Sequence, residues 1–527
     1  MKRLIIGGLC LFMALSSCQK LSYDLIIINA QVYDGKGGEP KQVDVGIRGD
    51  VIAEVGDLQN AQATQVIDAK GLALAPGFID LHAHIESIQD NPHGLSALHQ
   101  GVTTVLGGPD GSSPYPMKPY MDELSGKELG LNAGFLVGHN TVRRAVMKLE
   151  DRAPTPEELQ RMEQMIDTAM QQGAFGISTG LKYLPGAFSK VDEVIALSTV
   201  AAQKGGFYTS HLRDEGLNLM ESVQEAIDIA HGAQIPVVLT HHKVVGKPSW
   251  GKSVQTLALV DSANQAGLDI QIDQYPYTAS FTSISILIPA WARAGGQAKF
   301  KERMQDPQTK QKIWDETLFN ILNDRGAGDI KNIQFSKVKW KPDLENKRLS
   351  DWAIERGLEP TPEVGADLVL EAQLNGGASM IFHAMDEADV RRIMQHPKTM
   401  VASDGRLSIL GAGFPHPRAF GTFPRVLGHY VREEGVLSLE QAIHKMSYLP
   451  AQRMGLEDRG EIAVGKKADL VLFDPATVVD KASFTDPNQY PEGIEYVLVN
   501  GVLSIEDGKE TGKYGGRVLR KNQIKEE

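Results

Sequence analysis

Over about 350 residues in the middle of this chain, short apolar runs of strand type alternate with helical stretches, and this alternation restricts the fold more than any other feature. The strand-type runs lie at 78–84, 103–107, 135–140, 175–181, 207–212, 237–242, 269–275 and 400–403. Helical patterns such as 157–171, 218–231 and 254–266 fall between them. Repeated strand-then-helix units predict a parallel α/β fold, and a count of about eight favours a (β/α)8 TIM-like barrel. A further run at 379–383 is one too many and is expected outside the barrel or at its edge. Residues from about 289 to 376 are charged and helical with few strand signals, which reads as an insertion between the seventh and eighth strands.

Both ends of the chain have a different texture. Short alternating runs broken by glycine occupy 24–29, 43–47 and 51–55, and return at 468–474 and 495–500. They predict a small β-sandwich assembled from both chain ends. The resulting division is 18–74 and 456–515 for the sandwich, 75–455 for the barrel, and 516–527 for a C-terminal tail.

At the start, Lys2 and Arg3 precede an apolar run at 4–15 that ends in Leu15-Ser16-Ser17-Cys18. The run is too short to span a bilayer and has the layout of a signal peptide over 1–17. Leu-Ser-Ser-Cys resembles a bacterial lipobox, which would make Cys18 the lipidated N-terminus of an exported lipoprotein, anchored to a membrane and facing the periplasm or the cell surface. Only two cysteines occur, Cys10 and Cys18, so the folded body has neither disulfide nor thiolate to offer. With 42% hydrophobic and 23% charged residues the body is ordinary globular protein. A net charge of −12, with no basic run carrying interleaved aromatics, argues against a nucleic-acid partner.

The polar residues that end the strands carry the chemistry, because a barrel of this kind builds its active site at the C-terminal ends of its strands. Asp80-Leu-His82-Ala-His84 ends the first strand, and histidines at i and i+2 of a strand point to one side. His211 ends the fifth strand, Thr240-His241-His242-Lys243 the sixth, and Ala402-Ser-Asp404-Gly405 the eighth. Four strands that end in metal-ligand chemistry point to a metal site. Nitrogen and oxygen donors without sulfur suit Zn²⁺ and admit Mn²⁺ or Co²⁺. Lys243, two residues beyond His241, is expected to share its face, with His242 pointing away.

These motifs resemble the amidohydrolase superfamily and, more closely, the D-aminoacylase (N-acyl-D-amino-acid deacylase) family. The resemblance runs from about Tyr23 to Arg520. It rests on Ala75-Pro-Gly-Phe-Ile-Asp-Leu-His-Ala-His84, Gly101-Val-Thr-Thr-Val105, Ser178-Thr-Gly-Leu181 with Tyr183, Tyr208-Thr-Ser-His-Leu-Arg-Asp-Glu-Gly216, His241-His-Lys243, Tyr275-Pro-Tyr277 and Ser403-Asp-Gly405. His416-Pro-Arg418, running into Gly421-Thr-Phe-Pro-Arg-Val-Leu-Gly-His-Tyr430, narrows it to the deacylase branch. The resemblance implies His82 and His84 at one metal position, His211 and His241 at another, and Asp404 as general base and nearby ligand, around one or two Zn²⁺ ions. It also implies that Lys243, Arg418 and Tyr183 hold the substrate carboxylate, with Tyr275 among the substrate-binding residues.

Three positions depart from the family. D-aminoacylases place a cysteine thiolate on the metal after the second strand, in a Gly-Asn-Cys-Gly-like turn. Here the stretch reads Gly107-Gly-Pro-Asp110-Gly111, so Asp110 stands in the cysteine's place as a candidate terminal or bridging ligand, although Pro-Asp-Gly is also a strong turn sequence. Ile85-Glu86 follows the His-x-His, and Phe281 stands where the family often has a serine that helps to bind the carboxylate.

The implied reaction is hydrolysis of the amide of an N-acyl-D-amino acid, or of a dipeptide ending in a D-residue, by a metal-activated hydroxide, with Asp404 moving the proton. The preference for D comes from the resemblance alone. Two other readings stay open: a dipeptidase, cyclic amidase or lactonase of the same superfamily, and a lipid-anchored binding protein that kept the barrel without catalysis. The second is disfavoured because His82, His84, His211 and Asp404 are all present.

Overall fold

A computed structural model describes residues 22–521. The signal segment, Cys18 and residues 522–527 lie outside the described residues.

The barrel strands are Phe78–Asp80, Val102–Gly107, Asn132–Phe135 continued by Val137–Gly138, Gly176–Gly180, Phe207–His211, Val237–Leu239, Ile270–Gln274 and Thr399–Val401. All the ladders between them are parallel. Every residue in these strands is buried, which is why they read as continuous apolar runs rather than as alternating ones. Helices such as Pro156–Gln171, Leu219–Ala233 and Ser253–Gln265 make the crossovers. Leu219, Val223, Ala226, Ile227 and Ala230 form the buried stripe of the second of these at helical spacing. The first is capped reciprocally by Thr155 and Glu158.

Several strands stop short of their expected C-terminal ends. The sixth ends at Leu239 and the eighth at Val401, because His241 (φ 37°) and Asp404 (φ 48°) take left-handed backbone conformations that leave the ladder. The barrel closes between its eighth and first strands through backbone bonds at this level. Asp404 N donates to His82 O at 2.9 Å and His84 N to Gly405 O at 2.8 Å.

The surplus strand belongs to an excursion from the barrel. Ser379–Phe382 is the centre of a three-stranded antiparallel sheet with Ser280–Ser283 and Ile333–Lys337. The excursion therefore runs from 280 to 382, wider than 289–376, and has its own core around Phe300, Ile313, Phe335, Trp352 and Phe382.

The chain ends build one nine-stranded sheet in which Ser22–Val32 pairs with Lys41–Arg48 on one edge and with Gln62–Asp68 and then Ala73–Pro76 on the other. The change of partner falls near Asn29, at φ 59°, where the register shifts. This is the β-sandwich built from both ends. Buried Asp469 ties it to the barrel by accepting from Asn132 Nδ2 at 3.0 Å, Asn500 N at 2.6 Å and Arg459 Nη1 at 2.5 Å. Residues 516–521 are not a loose tail: Ala133 N donates to Arg517 O and Leu519 N to Ala133 O, both at 2.9 Å, so this segment lies along the third barrel strand.

Candidate metal centre

Five barrel strands, at or just past their C-terminal ends, bring His82, His84, Asp110, His211, His241 and Asp404 together. Their candidate donor atoms form two groups, His82, His84, Asp110 and Asp404 in one and Asp110, His211 and His241 in the other, each spanning no more than 4.8 Å. Asp110 belongs to both. Its Oδ1 lies 3.5 Å from His82 Nε2, 3.5 Å from His211 Nδ1 and 3.3 Å from His241 Nε2, and its Oδ2 lies 3.6 Å from His84 Nε2. The turn is what aims it. Gly108 (φ 78°), Asp110 (φ 53°) and Gly111 (φ 76°) wrap the backbone so tightly that a Cβ on Gly111 would meet Gly180 N at 2.8 Å. Asp110 is thus a turn residue whose carboxylate is aimed at both histidine pairs. Asp404 Oδ1 completes the first group at 3.2 Å from His84 Nε2 and 3.6 Å from His82 Nε2.

These donors suit a divalent cation. On the cluster side, His82 Nε2 and Asp110 Oδ1 are buried without a hydrogen-bond partner, a costly arrangement unless something else satisfies them. All the candidates are nitrogen or carboxylate oxygen.

Each imidazole turns one nitrogen to the cluster and the other to a carboxylate, the pattern that orients metal-ligating histidines. His82 Nδ1 faces Asp273 Oδ2 at 3.6 Å, His84 Nδ1 faces Glu86 Oε1 at 2.9 Å, His241 Nδ1 faces Glu215 Oε1 at 3.1 Å, and His211 Nε2 faces Glu215 Oε2 at 3.8 Å. Asp273 Oδ1 also accepts from His241 N at 2.5 Å. Burial opposes the charge on Glu215, yet Lys243, the two histidines and Arg325 hold its carboxyl well below the usual range. Burial and Lys243 oppose the His241 imidazolium, but Asp110 and Glu215 outweigh them and hold its pKa up at about 9, whereas burial takes His211 down to about 4. Burial likewise opposes the Asp404 carboxylate, but Arg418 foremost and His84 keep it ionised.

The substrate-side residues divide. Tyr183, Lys243 and Tyr275 line a cavity of about 290 Å³ over the cluster, together with His84, Asp110 and Asp404. Lys243 reaches it although the strand has already ended, and His242 points away to Thr256 Oγ1 at 2.9 Å, as expected. Lys243 Nζ is already engaged with Glu215 Oε1 and His241 Nδ1, both at 2.5 Å. Tyr183 stacks obliquely on His211 with ring centroids 4.4 Å apart, and its hydroxyl accepts from Thr282 Oγ1. Arg418 differs from its expected placement: it does not line the cavity but lies behind Asp404, Nη1 2.8 Å from Oδ2, with its guanidinium over the Tyr275 and Phe281 rings. Phe281 does stand on the cavity wall.

Sequence reasoning assigned no role to Glu215, Asp273, Glu86 or Arg325. Glu215, four residues after His211, and Glu86, two after His84, could have been found by asking what holds the second ring nitrogen. Nothing local marks Arg325, which comes from the excursion and meets Glu215 across the fold.

Barrel and site together define a metal-dependent hydrolase whose candidate metal donors come from five of the eight strand ends. The amidohydrolase family profile matches residues 65–304 and 321–505. A D-aminoacylase of Alcaligenes xylosoxydans xylosoxydans is 35% identical, with 96% of this chain and 99% of the relative covered. An N-acyl-D-glutamate deacylase of the same organism is 37% identical over 95% of this chain and 97% of its own. The crystal structure of an N-acyl-D-glutamate deacylase from Bordetella bronchiseptica, complexed with zinc and a phosphonate inhibitor, superposes with a TM-score of 0.80 at 34% identity, covering 95% of this chain and all of that one. The chain belongs to the amidohydrolase family, in its D-aminoacylase/N-acyl-D-amino-acid deacylase branch.

Proposed function

We propose that this protein hydrolyses the amide bond of N-acyl-D-amino acids, extending to dipeptides with a C-terminal D-residue, with Zn²⁺ held by His82, His84, Asp110, His211, His241 and Asp404. The observation that carries this is the shared Asp110 carboxylate between two histidine pairs, with Asp404 beside one of them, at the floor of a cavity. A divalent cation bound there supplies the Lewis acidity that polarises an amide carbonyl and makes water a nucleophile at neutral pH.

The chain's own residues supply the rest. Asp404, kept ionised by Arg418, accepts the proton of the attacking water at a carboxylate oxygen. It then delivers that proton to the amide nitrogen, which must be protonated to leave. Arg418 serves this step by positioning Asp404. Lys243 donates to Glu215 and keeps N–H donors for a substrate carboxylate, which Tyr183 and Tyr275 flank. Glu215, Asp273 and Glu86 orient the imidazoles.

The test is hydrolysis of paired N-acetyl-D- and N-acetyl-L-amino acids, with matching dipeptides, by Zn²⁺-loaded and metal-free protein. Metal-dependent cleavage confined to D-configured products is expected; silence across the panel with metal bound overturns the reading. We also propose export as a lipoprotein anchored through Cys18. Membrane-fraction recovery of the full chain, lost in Cys18→Ala, tests that anchor; no helix among the described residues is long and apolar enough to cross a membrane.

A further inference from the structure

Arg406 is the cation of this pocket that makes no ion pair, although its charge, after that of His84, helps to hold the nearby Glu86 carboxyl low against burial. Lys243 and Arg325 pair with Glu215, and Arg418 pairs with Asp404. Among the described residues no carboxylate lies within ion-pair distance of Arg406, which is exposed at the cavity rim. Its backbone is set by the barrel closure: His84 and Arg406 form a parallel bridge, and Leu407 N donates to His84 O. Its guanidinium rests 5.6 Å from the Phe281 ring centroid, so the phenylalanine at the departing family position acts as its shelf.

Arg406 and Phe281 also line a second, outer chamber of about 710 Å³ that opens from the metal pocket. The acids of that chamber are Glu86, which faces His84, Glu345, which accepts from the Val338 amide, and Asp90. Arg406 and Lys337 make no ion pair there, so any selection for an anion rests on the local position of Arg406 at the junction and not on the charge of the chamber as a whole. A substrate carboxylate beside the scissile amide belongs in the inner cavity with Lys243, Tyr183 and Tyr275. A group farther from the amide that extends toward the outer chamber comes beside Arg406.

We propose that Arg406 selects among N-acyl substrates by binding a second carboxylate, carried on the amino-acid side chain or on the acyl half, at the junction of the metal pocket and the outer chamber. This rests on the deacylase reading. A charge-assisted hydrogen bond of this kind is worth on the order of tenfold to a hundredfold in kcat/KM.

The experiment compares metal-loaded wild type on two pairs that differ only in carboxylate against carboxamide: N-acetyl-D-glutamate with N-acetyl-D-glutamine, and N-succinyl-D-alanine with N-succinamoyl-D-alanine. A preference for the acid of about tenfold or more is expected in at least one pair. The first pair places the charge on the side chain, the second on the acyl half. That preference should collapse in Arg406→Gln and invert in Arg406→Glu. Absence of any preference in wild type, or its survival in Arg406→Gln, overturns the proposal. So does an equal loss on both members of a pair, which would put Arg406 on the α-carboxylate. Should the variants fail to fold, wild type still decides: a preference carried by this exposed cation weakens with added KCl, and one indifferent to salt refutes it. Failure of wild type to hydrolyse any N-acyl-D-amino acid would instead bring down the deacylase reading itself.

Discussion

Arg325 Nη2 donates to Glu215 Oε2 at 2.5 Å, across 110 residues of sequence, and both side chains are 2% exposed. The excursion between the seventh and eighth strands therefore reaches into the site and holds the carboxylate that orients His211 and His241. Removing one partner of a buried pair leaves the other charge uncompensated, so Arg325→Met is expected to destabilise the protein by about 3 kcal/mol. Chemical denaturation of wild type and variant measures this. Activity should fall as well, through misoriented histidines rather than lost substrate contacts. An unchanged midpoint would mean that Lys243 alone satisfies Glu215.

Asp110 stands between both histidine pairs, so its charge governs how much metal is held. Asp110→Asn keeps the Pro-Asn-Gly turn, because asparagine tolerates the left-handed backbone. It is expected to lower bound zinc per chain and weaken what remains by roughly tenfold or more. Metal analysis after dialysis checks this, and full retention would reduce Asp110 to a turn residue.

Asp404→Asn removes the proposed proton acceptor while keeping the shape. A drop in kcat of roughly 10²–10⁴ is expected, with the fold unchanged by circular dichroism. Because Arg418 acts behind Asp404, Arg418→Met should also lower kcat, with a smaller effect on KM than Lys243→Met. The reverse split would return Arg418 to direct carboxylate binding.

His99 is 8% exposed and stacks on Tyr490 with ring centroids 3.8 Å apart. Burial lowers its pKa from 6.5 to about 4. The unfolded chain thus binds a proton below about pH 6.5 that the folded chain refuses until about pH 4, and stability falls as pH drops through that window. Denaturation series at pH 4.5, 5.5 and 6.5 should be flatter for His99→Phe than for wild type, by roughly 1–3 kcal/mol across the range. Parallel slopes would show that other groups dominate the acid response.

Much of the barrel was legible because its cause is local. Fully buried parallel strands must be apolar on both faces, and the crossover helices must carry a stripe, so both leave a pattern in one dimension. The surplus strand at 379–383 shows the limit: its composition matches a barrel strand, and only antiparallel pairing with Ser280–Ser283 and Ile333–Lys337 puts it elsewhere. The ending segment 516–521 carried no signal because it docks by backbone bonds along the third strand, which any sequence can make.

The site divides in the same way. The sequence by itself singled out the six candidate metal donors, four histidines and Asp404 because they lie at or just past the ends of strand-type runs and Asp110 because it stands where the resemblance implies a cysteine ligand, and it left no thiolate in the folded body. Tertiary structure alone decided that Asp110 is shared, that Arg418 supports Asp404 while Arg406 faces the cavity, and that Glu215 is balanced by a cation from the excursion. Donor identity is a property of single residues, whereas the pairing of buried charges depends on which distant groups the fold excludes from water together.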